Sequence, residues 1–302
     1  MRIPFLRDQQ NVIILDVDGT LVDSNDAHAR AWVDAFTEAG VLVDHEQVRR
    51  AIGMGGDRLV PHVSGLAEES PEGTRISERR SEIFTTRYLP HVQPFPAVRD
   101  LVQRFVDDGF RVVVASSANE SELEGLLERA GVADLIEERT SSDDADRSKP
   151  DPDIVRAALR RVGVPAHRAL MLGDTPYDVQ AALRSGVKIV GVESGGWRRQ
   201  ELVGAAEVYQ GAAELHERYD WSLFARFRSE RQDVAATPPH TIDVHTVALI
   251  ALGLGGLALL VLAARAFGRR RLAVIDEPVH DRRPGLSARD RERLRHLIEH
   301  TS

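Results

Sequence analysis

The sequence predicts a doubly wound α/β domain with a Rossmann-like parallel sheet, and three observations carry the prediction. Short apolar runs rich in Val and Ile recur at "VIIL" (12 to 15), "RVVVA" (111 to 115), "ALML" (169 to 172) and "KIVGV" (188 to 192). Strands that are apolar throughout are buried on both faces, the condition of a parallel sheet covered by helices. Helix-periodic segments follow in turn, "FPAVRDLVQRFVDDG", "SELEGLLERAG", "PDIVRAALRRVG" and "PYDVQAALRSG", each closing on the glycine expected at a helix C-terminus. The repeated order of helix, glycine and strand gives crossover units of one hand.

Taken in order, the first run ends in "DVDGTLVDS", where Asp16, Asp18 and Asp23 crowd the end of a greasy strand. Buried carboxylates are costly unless paired, hydrogen-bonded or bound to a metal, so this strand end needs solvent or a cation. Asp23 lies on the way out and suits turn formation or capping. From residue 24 to residue 92 the pattern is helical ("DAHARAWVDAFTEAG", "GDRLVPHVSGL", "ESPEGTRISERRSEIFTTRYL"), without a β-rich run. That interval is too long for one crossover helix and reads as an inserted α-helical cap, with "VQPFPAV" bringing the chain back. The core then comprises residues 8–23 and 93–222.

Residues 223–245 read as a polar linker, and residues 246–264, "TVALIALGLGGLALLVLAA", hold no charge. Their length matches the ~20 residues that cross a bilayer, so a single apolar C-terminal helix is expected to anchor the protein in the membrane. A buried core helix is the alternative. Arg265 and Arg269 to Arg271 follow, which by the positive-inside rule puts the charged tail (265–302) in the cytoplasm. At the other end "MRIPFLRDQQ" lacks the apolar stretch of a secretory signal, which keeps the catalytic domain in the cytoplasm and conflicts with the tail's placement, since one span has its ends on opposite sides; Arg226, Arg228 and Arg231 before the segment weaken the charge asymmetry. The expected arrangement is a cytoplasmic catalytic domain with a C-terminal anchor.

Composition narrows the classes of function. A formal net charge of -8 leaves no electrostatic footprint for nucleic acid, and the absence of cysteine excludes disulfides, thiolate metal sites and a cysteine nucleophile.

Ligands of open α/β sheets bind outside the carboxyl ends of the strands. The reactive residues there are Asp16 and Asp18 after the first run, Ser116 and Ser117 after the second, Lys149 in "SKPDPDI", and Asp174 with Asp178 after "ALML". Together they suit phosphoryl transfer: one carboxylate attacks phosphorus, a second moves the proton, hydroxyl and ammonium hold phosphate oxygens, and further carboxylates hold a hard divalent cation. Taken singly each has a plainer reading, as a solvated strand end, a turn former or a first-turn helix residue, and for Asp178 that reading is the strongest. One site explains them jointly.

"DVDGT" after an apolar strand, a serine after the second, "KP" opening a helix and "GDTPYD" resemble, in order, the four motifs of the haloacid dehalogenase-like superfamily over residues 11 to 219. The helical insertion is similar to that family's C1-type cap. The resemblance implies Asp16 as a nucleophile that becomes an aspartyl phosphate and Asp18 as general acid/base. It implies phosphate binding by Ser116, with Ser117 beside it and Lys149 steadying nucleophile and phosphate. Gly19 and Thr20 fit as the turn whose backbone N–H groups face the phosphate. Mg²⁺ would be held by Asp16, Asp174 and the backbone carbonyl of Asp18, with Asp178 as a further ligand or a residue behind one. An aspartate two residues after the nucleophile marks phosphate-ester chemistry in this family.

In the cap, His28 and Trp32 lie four apart on one helix face, and "GMGGDR" (Gly53 to Arg58) is glycine-rich. Both are similar to the phosphoglycolate phosphatase and β-phosphoglucomutase branch, where the corresponding His lies near the acid/base aspartate and the Arg faces a sugar phosphate. The plainer readings are a partly buried His28, a core Trp32 and a surface Arg58. The expected activity is a Mg²⁺-dependent phosphatase for a small phosphorylated metabolite, a sugar phosphate or a phosphoglycolate-like compound. A phosphomutase would need a second phosphate site, for which Arg79, Arg80 and Arg87 are available. A non-catalytic membrane-tethered module is the third possibility.

Overall fold

A computed structural model describes residues 10–228. The apolar segment 246–264, the charged tail and most of the linker lie outside the described residues, and with them the expected C-terminal anchor. Among the described residues no helix is long and apolar enough to cross a membrane.

Six parallel strands form one sheet in the order β3-β2-β1-β4-β5-β6. They are β1 (Val12–Leu15), β2 (Arg111–Ala115), β3 (Glu138–Thr140), β4 (Ala169–Gly173), β5 (Lys188–Val192) and β6 (Glu207–Tyr209). The four expected runs are the four central strands. The edge strands β3 and β6 have only three residues each, too short and too polar for an apolar run to announce them. The strand order reverses between β1 and β4, which opens a crevice at their carboxyl ends.

Although every residue of β1 is buried, successive side chains enter different cores. Ile13 and Leu15 join one cluster with Val112, Val114, Leu170 and Leu172, covered by α5 (Val98–Asp107) and α6 (Glu120–Ala130). Val12 and Ile14 join the other with Val113 and Met171, beneath α7 (Asp153–Val162) and α8 (Pro176–Arg184). α9 (Ala212–Glu217) completes the first face through Leu215.

Between β1 and α5 the regular elements are helical, beginning with α1 (Asn25–Glu38), α2 (His45–Ala51), α3 (Gly56–Ser64) and α4 (Pro71–Ile83). The helical run expected to reach Leu89 loosens after Ile83 into a π-helical turn, Phe84–Tyr88, and a 3₁₀ turn, Leu89–His91. Trp32, Phe36, Ile76 and Phe84 extend the first core cluster into this insertion, so the core-packing reading of Trp32 holds. The two connections run side by side: Val22 bridges Pro94, and the Asp23 N–H donates to the carbonyl of Gln93 at 2.9 Å. Asp23 itself is exposed and is not a cap; Ser24 is the residue at the N-terminus of α1.

Candidate active site

The carboxyl ends of β1 and β4 deliver three buried carboxylates to one point, with an oxygen from each of Asp16, Asp174 and Asp178 within 4.8 Å of the others. One ammonium meets them. Lys149, wholly buried, donates from Nζ to Asp16 Oδ1 at 2.6 Å and sits 2.8 Å from Asp178 Oδ1. Thr20 Oγ1 stands 3.0 Å from Asp16 Oδ2 and 3.2 Å from Asp174 Oδ1. Asp178 has both of the readings open to it. Its Oδ2 accepts from the N–H and hydroxyl of Thr175 in the capping box of α8, while its other oxygen faces Lys149.

Backbone geometry makes this crowding possible. Gly19 has φ +79°, and a Cβ there would lie 2.3 Å from Asp174 Oδ2. At Gly195, in the loop after β5, a Cβ would lie 1.5 Å from the same oxygen. Only glycine lets both loops close on Asp174. Sequence reasoning singled out Gly19 but not Gly195, whose "ESGGW" context reads as an ordinary loop. It also missed Asn25, whose Nδ2 donates to Asp174 Oδ2 at 3.1 Å and to the Gly195 carbonyl at 3.2 Å.

Three carboxylates around one lysine leave an excess of buried negative charge. Burial, reinforced by Asp178 and opposed by Lys149, pushes the Asp16 carboxyl up to about 7. Burial and the neighbouring Asp16 and Asp178 raise Asp174 well above the usual carboxylate range. An oxygen-only donor set with surplus negative charge fits a hard divalent cation of the Mg²⁺ class, which would bring both groups back to the ionised form.

Asp18 stands apart from this cluster. Its Oδ1 accepts from Ser24 Oγ and lies 2.8 Å from His28 Nε2. Burial opposes ionisation there, but His28 and the Ser24 hydroxyl outweigh it and hold Asp18 below the usual range. Its carboxylate is therefore not among the grouped metal-ligating atoms, and a role at the metal would fall to its backbone. His28 is buried and stacks on Phe84, with ring centroids 3.8 Å apart.

Ser116 is fully buried, its Oγ accepting from the Ala118 N–H at 3.1 Å. Ser117 donates to the carbonyl of Gly53 at 3.1 Å and so ties the end of β2 to the insertion. A small gap bounded by Asp16, Asp18 and His28 shares Trp32, Arg80 and Ser117 with a larger cleft of about 420 Å³. Arg58 lines neither; its guanidinium is paired with Asp151.

Residues 13–192 match the profile of the haloacid dehalogenase-like hydrolases. A phosphoglycolate phosphatase of Rhodospirillum rubrum is 32% identical over 236 residues, 75% of this chain and 95% of that protein. The crystal structure of a hydrolase from Pseudomonas syringae matches with TM-score 0.65 at 28% identity, over 70% of this chain and 99% of that one. That of a CbbY mutant from Rhodobacter sphaeroides in complex with xylulose-1,5-bisphosphate matches with TM-score 0.59 at 26% identity, over 68% and 96%. Since the profile runs from β1 through β5 and takes in every strand end of the site, this chain belongs to the haloacid dehalogenase-like hydrolases.

Proposed function

We propose that the protein is a phosphoric monoester hydrolase acting on a small phosphorylated metabolite through an aspartyl phosphate on Asp16, with the helical insertion serving as its cap. The observation that carries this reading is Asp16 itself. It ends the central strand, with one oxygen against Lys149 and the other against Thr20, beside a second carboxylate, Asp18, that is held in a separate network.

In this mechanism Asp16 attacks phosphorus, and the bond from phosphorus to the leaving oxygen breaks as that oxygen takes a proton from Asp18. Asp18 then draws a proton from water, which attacks the phosphorus and releases phosphate and free Asp16. Resting Asp18 is ionised and must first acquire its proton. The arriving phosphate dianion favours that by raising the negative charge around it. Lys149 and Ser116 would orient the phosphate oxygens; the Gly19 and Thr20 N–H groups expected to face phosphate instead donate to the carbonyls of Val22 and Val17, at 2.9 and 3.2 Å, and the Ser117 hydroxyl is given to Gly53. Asp16 and Asp174, with Asp178 beside them, would hold Mg²⁺, which when bound supplies the positive charge that lets a carboxylate meet a phosphate dianion.

The phosphomutase reading needs a cationic second phosphate site in the insertion. Its three candidate arginines are each engaged by carboxylates, Arg79 by Glu38 and Glu82, Arg80 by Glu122 and Arg87 by Asp34. Hydrolysis is therefore the better reading. It is tested with p-nitrophenyl phosphate, whose hydrolysis is expected to require Mg²⁺ and to disappear in Asp16→Asn; activity surviving in that variant sinks the assignment.

A further inference from the structure

This inference rests on the phosphatase reading and concerns the part of the substrate that is not phosphate. The large cleft is one-sided in charge. Asp57 and Glu68, half-buried, and Glu78 and Asp146 at its exposed rim all line it, whereas Arg80 is the only cation among its described lining residues.

Arg80 already has a buried counter-charge. Its Nη1 donates to both oxygens of Glu122, at 3.0 and 2.8 Å, and its guanidinium lies over the Trp32 ring at 4.7 Å. Glu122 has no exposed surface, and its carboxylate also accepts from Ser81 and from Asn119 Nδ2. The charge of Arg80 is thus balanced by Glu122, so a substrate anion reaching its Nε, which makes no hydrogen bond among the described residues, would meet no net positive charge. The rim carboxylates add direct repulsion.

We propose that this cleft selects monophosphates whose remaining part is uncharged and rich in hydroxyls, a sugar or polyol monophosphate, and discriminates against those bearing a carboxylate or a second phosphate. Hydroxyl groups are what the lining can satisfy. Carboxylates accept from them, and Ser77 Oγ, buried with no hydrogen-bond partner among the described residues, is available to one. Discrimination of this kind comes from the repulsive element as much as from the attractive one. Phosphoglycolate, for which the Rhodospirillum rubrum relative is named, carries the carboxylate that this cleft disfavours.

The test is kcat/KM of the full chain with Mg²⁺ on a hexose 6-phosphate, phosphoglycolate and a hexose bisphosphate, with p-nitrophenyl phosphate as reference. The sugar monophosphate is expected to exceed both competitors, each of which carries a further anionic group, by about tenfold or more, with the gap narrowing at high salt as the rim charges are screened. Phosphoglycolate or the bisphosphate matching or exceeding the sugar monophosphate overturns the inference while leaving the phosphatase reading intact. Failure to hydrolyse even p-nitrophenyl phosphate overturns both. In Glu122→Gln the charge of Arg80 is no longer neutralised, and the preference is expected to move toward phosphoglycolate by roughly tenfold. Should that variant not fold, the Glu68→Gln, Glu78→Gln double variant is expected to narrow the gap severalfold. An unchanged substrate ratio in a folded variant of either kind counts against the proposal.

Discussion

At the carboxyl ends of β1 and β4 three buried carboxylates share one ammonium, whereas in the cleft beneath the insertion the buried Glu122 meets one guanidinium and two further donors. The first arrangement is unbalanced in charge and the second is balanced. An unbalanced cluster raises the pKa of its own members and calls for a cation, which is the condition for assembling nucleophile, metal and phosphate at one point. A balanced pair has no net charge left to offer an anion. Its role is to define which charges a substrate cannot bring, so the two regions divide chemistry from selection.

Asp18 belongs to both, since its backbone lies at the sheet end and its side chain is held by Ser24 and His28, the latter on α1. Replacing it by asparagine keeps the shape and removes the proton transfer. Activity is expected to fall by the ~10²–10⁴-fold typical of a lost general acid/base. An Asp18→Asn enzyme as active as its parent, measured on a sugar phosphate, would place Asp18 on the packing side of the boundary and break the division.

A smaller loss is expected where only position is disturbed. In Gly195→Ala the new methyl cannot share space with Asp174 Oδ2, so either the carboxylate or the loop must shift. A displacement of about 1 Å at a positioned group can cost roughly 10²-fold in rate, while forced overpacking typically costs ~1–3 kcal/mol of stability. Measured side by side, kcat is expected to drop while the protein remains folded. Full activity in a stable Gly195→Ala would show that the tight closure on Asp174 does not matter for the chemistry.

The contrast also explains what could be read from the sequence. Strand-end chemistry was legible because β1, β2 and β4 are uninterrupted apolar runs, and the residues that follow them must emerge at one edge of the sheet. The cleft was legible only in part. His28 and Trp32 share a helix face, but that Arg80 pairs with Glu122 follows from packing α4 against the start of α6, two segments far apart in the chain. Glu122 in "SELEGLLERAG" looks like any first-turn helix carboxylate. Asn25 hides in the same way, as a residue at the beginning of α1 whose amide turns out to support Asp174. The edge strands escaped for want of length, and Arg58, expected at the substrate, is held by Asp151.

The smallest effect expected is thermodynamic, and it tests whether the sheet-end cluster is unbalanced at all. A carboxyl held at about 7 in the folded protein but near the ordinary ~4 when unfolded binds protons more readily in the fold. Between those two values the folded state carries more protons than the unfolded one, so the metal-free protein loses stability as pH rises from about 4 to about 7. A cation binds the ionised form and competes with those protons, and a saturating ligand at a hundredfold excess over Kd contributes ~2.7 kcal/mol. The rise in Tm on adding Mg²⁺ is therefore expected to be several degrees at pH 8 and much smaller at pH 5. Asp16→Asn removes one ionisable ligand and should flatten that difference. Equal shifts at both pH values in the parent would mean that protons and Mg²⁺ do not compete at the strand ends, and the sheet end would then be as balanced as the cleft.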